Sequence, residues 1–346
     1  MAVISDWISS WSLGGKLSVL WFLLVSCVLV WCSFRLVQNL GVISNKSNLN
    51  DSFLGGTFVA VITSTPELVT EISSALLGKP EIGLADDMGS NSFSIFLVAV
   101  SAIIFVRSMF LKHLNHYAKI SLWMSAGAIV FFTVMVAVNR DVVIGTPGRF
   151  AIGIVPLLFF LFWVISLWVS LKYGDNDDEP AIYKSKDISL KKATFFFVFW
   201  GLNLIVWALV LNWVAQSMAD GYNLTSNVVG GVFLSISTSL PEASVFVLML
   251  RKRLLAAATL SIIGSHLFNL AIPFVGDMIY TKDAIFNQNP DVSALLPLSL
   301  QTSIMIILLA FQATFLNFVK KKRYYLVVPS LIASIYIGGW VLMAVL

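Results

Sequence analysis

One segment of the chain occurs twice. Residues 55–93 recur as residues 230–268, an offset of 175 positions without a gap, and ten of the 39 paired positions are identical. The identical residues include a Thr-Ser-x-Pro-Glu motif, which ends at Glu67 in the first copy and at Glu242 in the second. A repeat that stays in register over this length indicates duplication of a structural unit. The fold must therefore contain two equivalent copies of one motif.

The composition is that of a protein that crosses a membrane many times. Of 346 residues, 58% are hydrophobic and 12% are charged, and the mean hydropathy is +0.89, whereas soluble domains carry about 25% charged residues. A helix needs roughly 20 apolar residues to cross the ~30 Å hydrocarbon layer. We predict an all-α fold with ten transmembrane helices, at about residues 17–38, 52–78, 82–106, 118–138, 149–172, 192–217, 226–250, 254–279, 293–319 and 324–346.

The distribution of basic residues predicts the orientation. Ten spans assign successive loops to alternate faces, and 17 of the 22 Lys and Arg residues then fall on one face. The other face has Lys16, Lys79, Arg140, Arg149 and Lys282. Because basic loops favour the cytoplasmic side, we predict a multi-pass protein of the cell (inner) membrane, with both termini outside. This topology explains the excess of positive charge without a nucleic-acid partner.

The offset also divides the chain into two halves of five spans. The start of the first span, near residue 17, maps to residue 192, where the sixth span starts. Because five is odd, the second half enters the membrane upside-down, which predicts an inverted-topology repeat with a substrate site near the midplane. We expect residues 1–172 and 192–346 to form the halves, with repeats at about 55–96 and 230–271 and a cytoplasmic linker at 173–191.

The repeated motif predicts a broken helix beside each glutamate. A proline inside a helix cannot donate to the carbonyl four residues earlier, so Pro66 frees the Ile62 carbonyl and Pro241 frees that of Ser237. Unwound backbone at membrane depth is tolerated only where it is buried in protein or lines a cavity. We expect carbonyls, hydroxyls, an amide and two carboxylates to face one cavity, and the candidate ligands are Ala60, Thr63, Ser64, Glu67, Ser90, Ser94, Ser235, Thr238, Ser239, Glu242, Ser265 and Asn269.

A site made only of oxygen atoms indicates a hard cation. Such coordination suits Ca²⁺ and Na⁺ better than zinc or copper, and two carboxylates balance one Ca²⁺ or two Na⁺. Competition of both ions for one charged site is what an exchanger needs. Helix packing alone would also explain small hydroxyl residues. It does not explain two glutamates, each of which costs about 2.5 kcal/mol or more at a helix centre when unpaired.

The paired motifs resemble the two α-repeats of the sodium/calcium exchanger family of cation/Ca²⁺ antiporters. Each Thr-Ser-x-Pro-Glu is followed by Gly-Ser, 22 residues after the glutamate, and then by Phe. The resemblance implies alternating access, with Ca²⁺ exchanged for Na⁺ or H⁺ at one midplane site. It places the family's paired acidic ligands on Glu67 and Glu242. Its backbone and hydroxyl ligands fall on Ala60, Thr63, Ser64, Ser90, Ser235, Thr238, Ser239 and Ser265.

The chain departs from the family pattern near these ligands. The family commonly has Gly-Ser-Asn-x-Phe followed by Asn or Asp, whereas this chain has Ser94 in the first copy and Asn269 in the second, with His266 in place of Asn. A third acidic ligand is therefore missing. The counter-ion stays open between Na⁺ and H⁺, and an antiporter of monovalent cations on the same fold is the alternative.

Other classes of membrane protein fit the sequence less well. A zinc protease needs a His-Glu-x-x-His helix, which is missing, and a serine protease would have only His266 as its intramembrane base. A cation channel is a further alternative, but an inverted repeat favours a carrier. We predict a secondary antiporter and not an enzyme, without a cofactor, working as a monomer in the lipid bilayer on inorganic cations.

Four further residues have two interpretations each. His266 is either a proton-sensitive gate or a neutral residue that is hydrogen-bonded within the bundle. Glu71 lies one turn after Glu67, either on an access path or near the membrane interface. Asp86 and Asp87 either line the approach to the site or cap the start of the third span.

Overall fold

The computed structural model describes residues 17–47, 59–105, 110–114, 116–146, 150–173, 188–222, 224–225, 228–251, 255–280, 282–315 and 322–345. The first glycines of the repeat, Gly55 and Gly56, and most of the predicted linker lie outside these ranges. The protein is mostly helical. The helices of the first half are α1 (Ser18–Ser47), α2 (Val59–Thr63), α3 (Thr65–Leu76), α4 (Pro80–Ile104), α5 (His116–Val138) and α6 (Ile154–Tyr173).

The second half has a similar series of helices. They are α7 (Leu190–Tyr222), α8 (Ser235–Arg251), α9 (Leu255–Ile279), α10 (Pro290–Ser293), α11 (Leu296–Phe315), α12 (Lys322–Tyr325) and α13 (Val327–Val345). A π-helical segment, Val229–Leu234, leads directly into α8. One turn of 3₁₀-helix, Phe110–His113, precedes α5.

Seven helices in the described part of the chain are long and apolar enough to cross a membrane. They are Ser18–Leu40, Pro80–Ile104, His116–Val138, Leu190–Ala219, Val229–Arg251, Ala257–Ile279 and Pro290–Phe315. Two shorter apolar helices lie at Ile154–Ser170 and Val327–Val341. In the stretch predicted as the second span, the structure describes two separate helices, α2 and α3. The protein is thus a multi-pass membrane protein built mainly of helices.

A β-hairpin corrects the prediction of an all-α chain. Strand β1 (Val143–Thr146) pairs with β2 (Phe150–Gly153) in antiparallel register, with Val143 opposite Gly153. The helix predicted from residue 149 therefore starts at Ile154. Two aspartates determine where this helix begins. Asp141 accepts a hydrogen bond from the Val155 N–H at 3.2 Å, and Asp277 accepts one from the Gly153 N–H at 2.5 Å.

The hairpin, the end of α9 and the loop that follows it lie at one end of the bundle. Asp277 also accepts a hydrogen bond from the Ile285 N–H at 2.7 Å, and Asn139 donates to the Asn289 carbonyl at 2.8 Å. The turn between α3 and α4 is there too, because a methyl group on Gly78 would lie 2.9 Å from Lys282 Nζ. We call this side of the molecule the hairpin end.

Helix α4 is the centre of the bundle. It packs against α3, α8, α9, α11 and α13, and its residues from Pro80 to Asn91 are all buried. Helices α1 and α7 lie at the periphery, where they pack along each other and Trp31 contacts Trp200 with ring centroids 4.8 Å apart. Large apolar side chains such as Leu20 and Phe195 are exposed on these two helices. Exposed apolar surface of this extent is typical of a face that contacts lipid.

Glycines allow α4 to cross the π-helical segment in direct backbone contact. A methyl group on Gly89 would overlap the Gly231 carbonyl and the Ser235 side chain, and one on Gly230 would lie 2.5 Å from the Ile82 carbonyl. Gly89 thus permits the close approach of the two helical segments. This crossing joins the Gly-Ser motif of the first copy to the Gly-Gly motif of the second.

We predict that Gly89→Ala destabilises the fold, because its methyl group has no room in the crossing and overpacking typically costs about 1–3 kcal/mol. Gly127→Ala on α5 is the matched control, since nothing lies within 4 Å of its added methyl group. Thermal unfolding in detergent measures both variants. Equal melting temperatures for the two would contradict the tight crossing.

Candidate functional site

In the first copy of the repeat, the helix is interrupted beside the glutamate. Helix α2 ends at Thr63, Ser64 forms a turn, and α3 starts at Thr65 with Pro66 in its first turn. Proline is favoured there because its missing N–H would have no helical partner anyway. The Thr65 hydroxyl donates to the Val61 carbonyl at 3.3 Å, which satisfies one carbonyl at the interruption. The sequence prediction of a broken helix holds for this copy.

In the second copy, the irregular backbone lies further upstream. Helix α8 runs from Ser235 to Arg251 with Pro241 inside it, so the predicted break at Pro241 is wrong. The π-helical turn at Val229–Leu234 precedes it instead. A π-helical turn inserts an extra residue into a helix and often occurs at functional sites. The equivalent helices of the two copies are therefore irregular at different positions.

The first glutamate is surrounded by hydroxyl groups from both copies. The Glu67 carboxylate is 1% exposed, and its Oε1 accepts from Ser90 Oγ and from Ser239 Oγ, each at 3.3 Å. Ser90 Oγ also lies 3.4 Å from the Ser235 carbonyl oxygen and from Thr238 Oγ1. Residues 172 positions apart in sequence thus meet at one carboxylate.

The second glutamate lies next to the first. Glu242 is 3% exposed, and its Oε2 accepts from Ser94 Oγ at 3.0 Å. Ser90 donates to Glu67 and Ser94 donates to Glu242 from adjacent turns of α4, so the two carboxylates are neighbours. The Ser265 hydroxyl faces Glu242 but does not form a hydrogen bond with it. Serines of α4 therefore bind both glutamates, because Ser90 and Ser94 lie one turn apart on the same face.

Three of the predicted ligands on the first copy do not reach the carboxylates. The Thr63 hydroxyl turns back to its own helix, where it donates to the Val59 carbonyl at 2.9 Å and to the Ala60 carbonyl at 3.1 Å. The Ala60 carbonyl also accepts from the Ser64 N–H at 2.9 Å, so it is not free as predicted. The Ser64 hydroxyl is buried without a hydrogen-bond partner in the described ranges.

The amide predicted as a ligand belongs to a second group of contacts. Asn269 Nδ2 donates to Asn91 Oδ1 at 3.1 Å, and Asn91 Nδ2 donates to the His266 carbonyl at 3.5 Å. The His266 ring is fully buried, with Nδ1 3.3 Å from Ser125 Oγ. Its position thus fits a residue that is hydrogen-bonded within the bundle.

The sequence left open the roles of three acidic residues, and all three are buried. Helix α4 starts at Pro80, so Asp86 and Asp87 lie well inside it and do not cap it. Asp86 Oδ1 accepts from Thr238 Oγ1 at 3.0 Å, which joins it to the Glu67 group. Glu71 and Asp87 have no hydrogen-bond partner among the residues that the structure describes.

All twelve predicted ligands are buried, and several of their oxygens lack partners. Within the described residues, the predicted ligand atoms without a hydrogen bond are Ser64 Oγ, Glu67 Oε2, Glu242 Oε1, Ser265 Oγ and Asn269 Oδ1. Buried polar atoms are nearly always paired, so each exception requires an explanation such as an ion. In the same part of the chain, no three His, Cys, Asp or Glu side chains converge to hold a metal ion. A cation here would need hydroxyl and carbonyl oxygens besides the carboxylates.

Sequence reasoning missed several contacts of this region. It did not include Asp277 or Ser125, and it treated Asn91 only as a position that differs from His266. The repeat itself carried a signal, because Asn91 and His266 are repeat mates 175 positions apart and contact each other. A further contact that the sequence did not predict involves Ser237, the residue of the second copy that corresponds to Ile62: its hydroxyl accepts from Ser26 Oγ of α1 at 3.0 Å.

Comparisons with known proteins agree with the predicted family. A family model described as sodium/calcium exchanger protein matches residues 17–172 and 192–345. The putative antiporter CaxA of Alkalimonas amylolytica is 26% identical over 268 residues, which cover 75% of this chain and 80% of that protein. The sodium/calcium exchanger MaX1 of Methanosarcina acetivorans is 28% identical over 163 residues, which cover 45% of this chain and 42% of that protein.

A solved structure has the same fold. The sodium-calcium exchanger NCX_Mj, soaked with Na⁺ and Sr²⁺, superimposes with a TM-score of 0.59. The match has 20% sequence identity and covers 96% of this chain and 99% of that one.

Proposed function

The chain belongs to the sodium/calcium exchanger protein family, and from this premise we propose that it exchanges Ca²⁺ for Na⁺ or H⁺ by alternating access. Members of this family are membrane transporters, so the chain is a transport protein rather than an enzyme. Glu67 and Glu242 jointly bind the transported cation in this proposal. Inorganic cations are its substrates, and no cofactor takes part.

The unpaired oxygens around the two glutamates are the observation that carries this proposal. Glu67 Oε2 and Glu242 Oε1 each lack a hydrogen-bond partner in the described part of the chain, while their second oxygens accept from serines. Buried carboxylates without partners are costly in a membrane. A cation between them would supply the missing interaction. Protons on both carboxylates would supply it as well, which is how H⁺ would compete with the cation.

The charge and chemistry of the ligands favour Ca²⁺ over a transition metal. Ca²⁺ takes 6–8 oxygen ligands at 2.3–2.6 Å and tolerates irregular geometry. The two carboxylates neutralise it, and the hydroxyls of Ser90, Ser94 and Ser239 already point at them. Ser64, Ser265 and Asn269 carry further oxygens that have no hydrogen-bond partner in the described ranges. Two Na⁺ ions would satisfy the same charge, which gives the competition that exchange requires.

We also propose the ten-span inverted repeat as the framework of transport. Seven long apolar helices, two shorter ones and the pair α2 and α3 fall in the ten predicted stretches. The contact between the repeat mates Asn91 and His266 supports a two-fold relation between the halves, since equivalent residues meet only near such an axis. The proposal includes a monomer in the cell membrane, with both termini outside as the basic loops predict.

An antiporter of monovalent cations on the same fold is the second candidate. It is favoured by Ser94 and Asn269, because neither position carries the Asp that the family pattern allows there. Fewer carboxylates mean less charge with which to bind Ca²⁺. Purified protein in liposomes separates the candidates, with Ca²⁺ uptake followed under an imposed Na⁺ or H⁺ gradient while the membrane potential is clamped.

We predict that Glu67→Gln and Glu242→Gln each reduce gradient-driven Ca²⁺ uptake by about 100-fold or more, because loss of one partner from a buried ionic interaction costs about 3–5 kcal/mol. Both variants should fold, since Gln keeps the size of the side chain. Uptake of radioactive Ca²⁺ into proteoliposomes measures the effect. Unchanged transport in both variants would show that the glutamates do not bind the cation.

Two serines on α4 test whether the hydroxyl that donates to Glu242 contributes to cation binding. Ser94 donates to Glu242, whereas Ser92 is equally buried but contacts Met305 Sδ at 3.8 Å. Because a hydrogen bond to a charged group contributes about 1.5–3 kcal/mol, Ser94→Ala should raise the Ca²⁺ concentration for half-maximal uptake about tenfold. Ser92→Ala is the control and should leave it unchanged. The same effect in both variants would mean that α4 packing, not the hydroxyl, matters.

The neutral ligand position tests ion preference. Asn269→Asp adds a carboxylate beside Asn91 without a change in side-chain size. We expect a higher affinity for Ca²⁺ relative to Na⁺, or an altered coupling ratio, measured as the Na⁺ concentration that halves Ca²⁺ uptake. If affinity and coupling both stay the same, Asn269 does not contact the transported ions.

A further inference from the structure

Two acidic residues near the central glutamates have no role in the proposed site. Glu71 lies one turn after Glu67 on α3, about 6 Å closer to the hairpin end along the helix. Asp87 lies three residues before Ser90 on α4 and is likewise closer to the hairpin end than the serine. Helices α3 and α4 pack against each other, and Asp87 lies one turn after Gly83, the α4 residue that contacts Glu71, on the same face of the helix.

The Glu71 side chain occupies a slot between two glycines. A methyl group on Gly83 of α4 would overlap the Glu71 carboxylate, and so would a methyl group on Gly276 of α9. Glycine at both positions therefore leaves the space that the Glu71 carboxylate occupies. The slot places a charged side chain between α3, α4 and α9, well away from the lipid face.

Among the residues that the structure describes, no basic group or hydrogen-bond donor compensates either carboxylate. Glu71 is 0% exposed and Asp87 is 2% exposed, and none of their four oxygens has a hydrogen-bond partner in the described ranges. The strongest charges on Glu71 are those of Asp277 and Glu81, both acidic. Glu81, in contrast, lies near Lys79 and Lys282. Two buried acidic groups in this position need a bound cation or protons.

We propose that Glu71 and Asp87 form a second cation position, where a transported Ca²⁺ ion is held between the hairpin end and the central glutamates. The position continues a series of acidic residues, since Asp86 directly precedes Asp87 in α4 and accepts from Thr238, whose hydroxyl lies 3.4 Å from the Ser90 hydroxyl that donates to Glu67. Two carboxylates match the charge of one Ca²⁺ and exceed that of one Na⁺. This inference rests on the proposed function, because it takes Ca²⁺ as the transported ion.

Equilibrium binding in detergent tests the second position apart from the central one. The central site is removed with the double variant Glu67→Gln/Glu242→Gln, and radioactive Ca²⁺ is added to the purified full chain without Na⁺. We expect the double variant to keep one bound Ca²⁺ per chain. A further Glu71→Gln change should abolish this binding, while a further Asp291→Asn change, at an exposed acidic residue of the hairpin end, should leave it unchanged. Thermal unfolding checks that each variant is folded.

The possible results separate the two proposals. If the wild type binds Ca²⁺ and the double variant binds none, the central site stands and the second position is wrong. If the wild type itself binds no Ca²⁺, the proposed function is wrong. Residual binding that survives Glu71→Gln would also overturn the second position, because the ion would then be held elsewhere. Loss of binding with Glu71→Gln alone, in the double-variant background, supports it.

Discussion

The burial of two neighbouring carboxylates in a membrane protein is the constraint on which the other features of the site depend. Charges of the same sign repel strongly where water is excluded, so Glu67 and Glu242 can be adjacent only with hydrogen-bond donors around them and with either a cation or protons to offset their charge. The serines of α4 provide donors to both, at 3.3 Å and 3.0 Å. Those serines reach both glutamates because α4 is the central helix, and α4 is central because glycines let the other repeat approach it closely.

The packing of the core and the chemistry of the site therefore use the same residues. Gly89 directly precedes Ser90, so the position that permits the helix crossing also sets the serine against Glu67. The crossing partner, Gly231, lies four residues before Ser235, whose carbonyl contacts Ser90. On both sides of the crossing, a glycine that permits the close approach thus lies within four residues of a serine that belongs to the contacts around Glu67.

The sequence predicted the helices and the buried glutamates well, because hydrocarbon tolerates only long apolar helices and excludes unpaired charge. It failed where the outcome depended on contacts between distant residues. Residues 150–153 are apolar and resemble the start of a span, but Asp141 and Asp277 hold the backbone in a hairpin and a new helix start. Pro241 looked equivalent to Pro66, yet the glycine-containing π-helical turn before it accommodates the deformation upstream. The local sequence of the motif could not distinguish these two solutions.

The different deformations of the two copies have a consequence for a carrier whose halves exchange roles. If both repeats had the same backbone, a two-fold rotation would convert the state open to one side of the membrane into the state open to the other. The two states would then have equal free energy, except for differences between the two membrane faces and the ions bound on each. Here one repeat bends at Ser64 and the other at Val229–Leu234. In the alternating-access mechanism proposed above, the two open states would then be structurally different, and the backbone itself would give the unloaded protein a preferred resting side.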